Sequence, residues 1–98
     1  MTYTSALPRT AAGIAAACEG DWARAEEHHQ AAIRQADTIP HRVAQSIARY
    51  WYAVMLLARG RQTDSTDARA LLGEALGMFE SLGMPLYARQ AGDRLAGL

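Results

Sequence analysis

An all-α fold of about five helices, arranged as antiparallel helical hairpins, follows from three features of this sequence. Apolar or bulky residues recur at steps of three and four, as in Trp22, Ala25, His29, Ala32 and Ala36, a spacing that gathers them on one helix face. Turn-forming stretches, namely Gly20-Asp21, Asp37 to Pro40, Gly60 to Thr66 and Gly83 to Pro85, cut the chain into segments of helical length. No segment alternates apolar and polar residues as a half-buried strand does.

Each element has its own justification. Pro8 suits a first helical turn, and Leu7, Ala11, Ile14, Ala15 and Cys18 follow at helical spacing as the apolar face of a first helix. Gly13 costs about 1 kcal/mol relative to Ala inside a helix, so its presence implies that another helix backbone presses against it. Gly20 stops this helix and Asp21 caps the second. Pro40 opens a third helix over about His41 to Arg59, the most apolar of the set. One stripe there is Val43, Ile47 or Ala48, Trp51, Met55 and Ala58; a second is Tyr50, Val54 and Leu57. Asp64, Ser65 or Thr66 caps a fourth helix, about Asp67 to Leu82, with Ala68, Leu71 or Leu72, Ala75 or Leu76, Phe79 and Leu82 inward. Gly83 ends it and Pro85 begins a fifth, with Leu86, Ala88, Ala91 and Leu95 inward and Arg89, Asp93 and Arg94 outward.

Composition bounds the function. A chain of 98 residues is one domain, 1–98, with hairpins over about 8–37 and 40–82 and a capping helix over 85–97. Half of it is hydrophobic, much of that Ala, so stability must come from close helix contact rather than from bulk. Ten Arg and no Lys balance ten acidic residues, and the signs alternate, which excludes the clustered positive charge of a nucleic-acid surface. The single Cys18 excludes an internal disulfide and fits a reducing, cytoplasmic setting. No stretch approaches the ~18 apolar residues of a membrane span. Ala15-Ala16-Ala17-Cys18 after Arg9 has the outline of a lipoprotein cleavage box, but the apolar run before it is short and broken by Gly13.

The hairpin occurs twice. Gly13, Ala25 and Ala32 mark small contact points in the first unit, and Ala53, Ala68 and Ala75 in the second; the last pair of each is seven residues apart. This order resembles the tetratricopeptide repeat (TPR). Gly13, Gly20-Asp21-Trp22, Ala25, His29 and Ala32 match its small residue, Gly-Asp-aromatic turn, Ala, bulky residue and Ala. Ala53, Gly60, Ala68, Leu72 and Ala75 match in the second unit. The departures are His29 in place of an aromatic or apolar residue, Ala16 in place of an aromatic, and a longer turn after Gly60. The stretch from Ala68 to Pro85, with its Leu-Gly-Met-Pro ending, is similar to the helical-repeat arms of large bacterial transcription activators and cyclase-associated ATPases. The resemblance implies a right-handed superhelix, with Leu7, Thr10, Ala11, Ile14 and Ala17 on the concave face in one unit. In the other it implies a partner-binding set of Ile47, Tyr50, Trp51, Val54 and Leu57.

The candidate chemistry is thin. His28 and His29 point about 100° apart on a helix and cannot readily share an ion, and Glu26-x-x-His29 lacks the second Glu-x-x-His of a di-iron site. His29 is therefore expected as a core filler and His28 as a solvent-facing residue, with no metal and no cofactor. Cys18, beside Glu19 at a helix C-terminus, has the wrong field for a reactive thiolate and is expected to be a buried structural thiol. Tyr50-Trp51-Tyr52 divides into a core Trp51 with Tyr50 and Tyr52 at its flanks or on a partner surface; Arg42, Arg49, Arg59, Arg61 and Arg69 form a solvated face. No paired acid and base, nucleophile motif or phosphate-cradling loop is present, so a catalytic role is not expected. The expectation is a protein- or peptide-binding module that self-associates as a dimer, because two repeats and a cap leave hydrophobic ends. The alternative is a regulatory or ligand-sensing helical domain, marked by an apolar cavity between helices.

Overall fold

Five helices follow in order: α1 (Ala6–Cys18), α2 (Trp22–Thr38), α3 (Arg42–Arg59), α4 (Asp64–Leu82) and α5 (Pro85–Ala96). The structure, a computed structural model, describes residues 6–38 and 42–98, and the fold is all-α, with no strand among those residues. Pro40 and His41, and the side chain of Leu7, lie outside the described residues.

The turns form for the reasons the residues give. Gly20 has φ 78°, a left-handed conformation that costs glycine nothing. Its N–H donates to the Ala17 carbonyl, and the Asp21 N–H donates to the Ala16 carbonyl, at 3.0 and 2.9 Å, closing α1 in the Schellman pattern. The Asp21 carboxylate then accepts the Arg24 N–H and caps α2. Gly83 repeats this closure at the end of α4, with Met84 N–H on the Phe79 carbonyl at 2.9 Å, and Pro85 takes the first turn of α5.

α4 begins three residues earlier than the sequence predicts. Thr63 stands at its N-cap without a side-chain bond, and none of Asp64, Ser65 and Thr66 is the cap. Asp64 instead accepts the Arg61 N–H at 3.0 Å and both arms of the Arg59 guanidinium at 2.9 Å. That pair draws the first helical turn back into what the sequence presents as a loop.

α3 packs on α4, α1 on α2, α2 on α3 and α4 on α5, and α1 also reaches α3. Small residues make the approaches possible: Ala25, Ala53, Ala68 and Ala75 are fully buried in one cluster, and Ala32, Ala36, Ala44 and Ala48 lie between α2 and α3. Gly13 is buried, and a Cβ built on it would stand 2.7 to 2.9 Å from three atoms of the His29 ring. What presses on Gly13 is thus an imidazole from α2.

This contact corrects the expected face of α1. Thr10, Gly13 and Ala16 are buried, whereas Ala11, Ala15 and Cys18 are exposed. Apolar spacing favours the face of Ala11, Ala15 and Cys18; the shape match at Gly13 decides the other. In α3 the buried set is Ala44, Ser46, Ala48, Tyr50, Ala53, Met55 and Leu56, and Val43 is exposed. Leu86 of α5 is 66 % exposed, against expectation, while Ala91 is buried.

A polar chain ties three helices together. Arg59 also donates to Glu26 at 3.2 Å, the Tyr52 hydroxyl donates to Glu26 at 2.8 Å, and Gln30 donates to that hydroxyl at 3.1 Å. The Arg59 and Asp64 side chains are 7 and 3 % exposed, so Arg59 does not belong to a solvated face. Arg49 likewise is mostly covered and pairs with Asp37 at 2.9 Å. Arg59 beside Asp64 and beside Glu26 holds Asp64 below its ordinary pKa; for Glu26 the Tyr52 hydrogen bond is the larger cause.

Two tests follow. Gly13→Ala gains helix propensity but overpacks against His29, and should lose about 1–3 kcal/mol, whereas Gly77→Ala, which meets nothing within 4 Å, should gain about 1 kcal/mol; urea midpoints distinguish the signs. Asp64→Asn removes one acceptor from a covered Arg59 and should cost about 2 kcal/mol at pH 7. Because the folded carboxylate's pKa is depressed, this difference is full above about pH 4 and shrinks as the pH falls below it; urea melts of both proteins across that range measure it.

Candidate functional site

Between α1, α2 and α3 lies an apolar cleft of about 360 Å³. α1 contributes Ile14, Ala17 and Cys18, and α2 contributes Trp22 and His29. α3 supplies the opposite wall: Trp51, Val54, Met55 and Ala58. Helical spacing explains the set, since Ile14, Ala17 and Cys18 follow at three and four, as do Trp51, Val54, Met55 and Ala58.

His29 is the polar exception. It is fully buried and lies at the floor of the cleft, flat against Gly13 and parallel to the Tyr52 ring at 6.0 Å between centroids. Neither ring nitrogen has a hydrogen-bond partner among the described residues. Burial, with a smaller push from the charge on His28, lowers its pKa to about 4, so the imidazole is neutral near pH 7. Tyr52 beside it is pushed up to about 12, chiefly by burial and then by its bond to Glu26, and remains a donor.

The five residues expected to bind a partner are divided between two places. Trp51 and Val54 line the cleft, while Ile47 and Leu57 are half-buried against the main core. Tyr50 is 2 % exposed and its ring is enclosed by Trp51, Phe79 and Tyr87. This reverses the expected division of the aromatic trio: Tyr50 is in the core and Trp51 at its edge. The reason is Arg94 of α5, whose Nε donates to the Tyr50 hydroxyl at 2.9 Å and satisfies it inside the fold. Helical spacing does not show that α5 reaches back to α3; Arg94 is exposed, as expected, yet its Nε reaches the Tyr50 hydroxyl.

Cys18 is exposed rather than buried, because the face α1 turns inward is that of Gly13. His28 is half-buried, with Arg9 at 3.4 Å from its Nδ1. Among the described residues no three of His, Cys, Asp and Glu converge as a metal site, and no helix is long and apolar enough to cross a membrane. Trp22, Met55 and Ala58 were missed as cleft residues. Their sequence signal was helical spacing, which puts Met55 and Ala58 on one stripe with Trp51 and Trp22 on one stripe with His29.

No protein-family model, no curated protein and no solved structure matches this chain.

A neutral buried histidine has a measurable consequence. Unfolding lets His29 take up a proton between its unfolded pKa near 6.5 and its folded value of about 4, so its stabilisation is full above that window and lost as the pH falls through it. Wild-type stability should drop by about 2 kcal/mol between pH 7.5 and 5. His29→Phe should flatten that part of the profile in urea melts taken at each pH.

Proposed function

We propose that this chain is a non-enzymatic protein–protein interaction module built from TPR-like helical hairpins, which self-associates as a dimer. The observation that carries this reading is the cleft itself. It opens between α1 and α3, the helices that the repeat resemblance assigns to the concave face, and is walled by Ile14, Ala17, Trp51 and Val54. Half-buried aromatic and branched side chains around a recess are what an interface uses to anchor a partner's apolar side chain. The resemblance to the repeat arms of bacterial transcription activators, with a lone unpaired Cys18, supports a cytoplasmic, bacterial setting.

The second reading, a regulatory or ligand-sensing domain, is favoured by His29: an open protein-binding groove has no need of a fully buried imidazole with no hydrogen-bond partner among the described residues.

Light scattering during size-exclusion chromatography tests the first reading. Wild type should elute at twice the 10.6 kDa chain mass. Trp51→Ala combined with Val54→Ala should elute at the chain mass while keeping its helical circular dichroism. A wild type that stays monomeric up to millimolar concentration would remove self-association from the proposal.

A further inference from the structure

The geometry points to the α1–α3 cleft as a binding site for a small neutral molecule, with a flat aromatic body and one hydroxyl group held by His29. This rests on the second reading above, that the cleft serves a ligand.

The volume comes first. About 360 Å³ is near the lower end of the ~300–1,000 Å³ of small-molecule pockets, which suits one or two fused rings. Trp22 and Trp51 both line it, and two indole rings favour an aromatic occupant packed in offset or edge-on contact. The walls are almost wholly apolar, so a charged ligand would lose its hydration without compensation.

The hydroxyl is specified by His29. A neutral imidazole carries one donor and one acceptor, and neither is used by a described residue. An unmet polar atom in a low-dielectric interior is costly. A water there would find His29 and little else, whereas buried waters make about three hydrogen bonds. A hydroxyl can serve either ring nitrogen while the rest of its molecule covers the apolar walls. The imidazole is shielded from solvent, so the occupant reaches it by a side-chain adjustment. Met55, unbranched and pliable, lines the same cleft and supplies that freedom.

The probes are 1-naphthol, naphthalene and 1-naphthoate, titrated at pH 7.5 into ¹⁵N-labelled wild-type protein, with affinities from calorimetry. Naphthol should bind saturably and shift the His29 ring nitrogens together with the Ala17 and Val54 amides. It should bind about fivefold tighter than naphthalene, the factor for one net hydrogen bond, and naphthoate should bind weakest. His29→Phe should bring naphthol and naphthalene to equal affinity. Ala17→Phe, which fills the cleft, should abolish binding. If His29→Phe does not fold, the wild-type ratio and the His29 shifts decide the matter. No saturable binding to folded wild type, equal naphthol and naphthalene affinities, or unchanged binding by Ala17→Phe would each overturn the inference. Failure of the probes with the dimer intact ends the small-molecule inference alone. A monomeric wild type that still binds naphthol ends the self-association reading alone.

Discussion

The close approach of Gly13 to His29 governs how the rest of this chain can be arranged. With no side chain on Gly13, α2 lays an imidazole against α1, at a distance no Cβ would tolerate. That contact turns Thr10, Gly13 and Ala16 inward and sends Cys18 to the surface. It also sets the line along which α1 faces α3, and so places the cleft. Its cost is a buried imidazole whose nitrogens meet no partner among the described residues, in the same spot where the three helices leave room beside it. A tight contact and a recess thus share one residue.

From His29 the constraint passes on through Tyr52. Its ring lies parallel to the imidazole, and its hydroxyl donates to Glu26. Glu26 accepts from Arg59, whose fork grips Asp64 at the start of α4. Each link is modest on its own, because charges that must be desolvated return only part of that cost. Their value lies in direction: a bidentate Arg pair accepts one geometry, which fixes the α3–α4 turn inside the second hairpin. On the far side, Tyr50, Phe79 and Tyr87 do the corresponding work with apolar area, and Arg94 closes the one polar gap.

The two functional readings share this frame. An interaction module needs a rigid recess with aromatic walls, and a ligand-sensing domain needs the same recess with a polar group inside it. Neither asks for a reacting centre. Cys18 is exposed near the C-terminal end of α1, and His29 is held neutral by burial. The cleft offers apolar walls and, at His29, one hydrogen-bond donor and one acceptor.

Helix number and type, the turns at Gly20 and Gly83, the Asp21 cap and the small residues at Gly13, Ala25, Ala53 and Ala68 were legible in the residues alone, because they depend on local spacing and local backbone freedom. The inward stripe of α2, including His29, was legible for the same reason. Which side of α1 faces inward was not: apolar spacing pointed to the face of Ala11, Ala15 and Cys18, and the fit around Gly13 turned the other inward. Nor could spacing show that Tyr50 would be buried and Trp51 left at the cleft, since that exchange needs Arg94, forty-four residues away, to satisfy a hydroxyl. The early start of α4 had the same origin in the Arg59–Asp64 pair. Sequence by itself determined what each segment forms; tertiary packing decided which face each segment shows, because burial depends on partners that come from elsewhere in the chain.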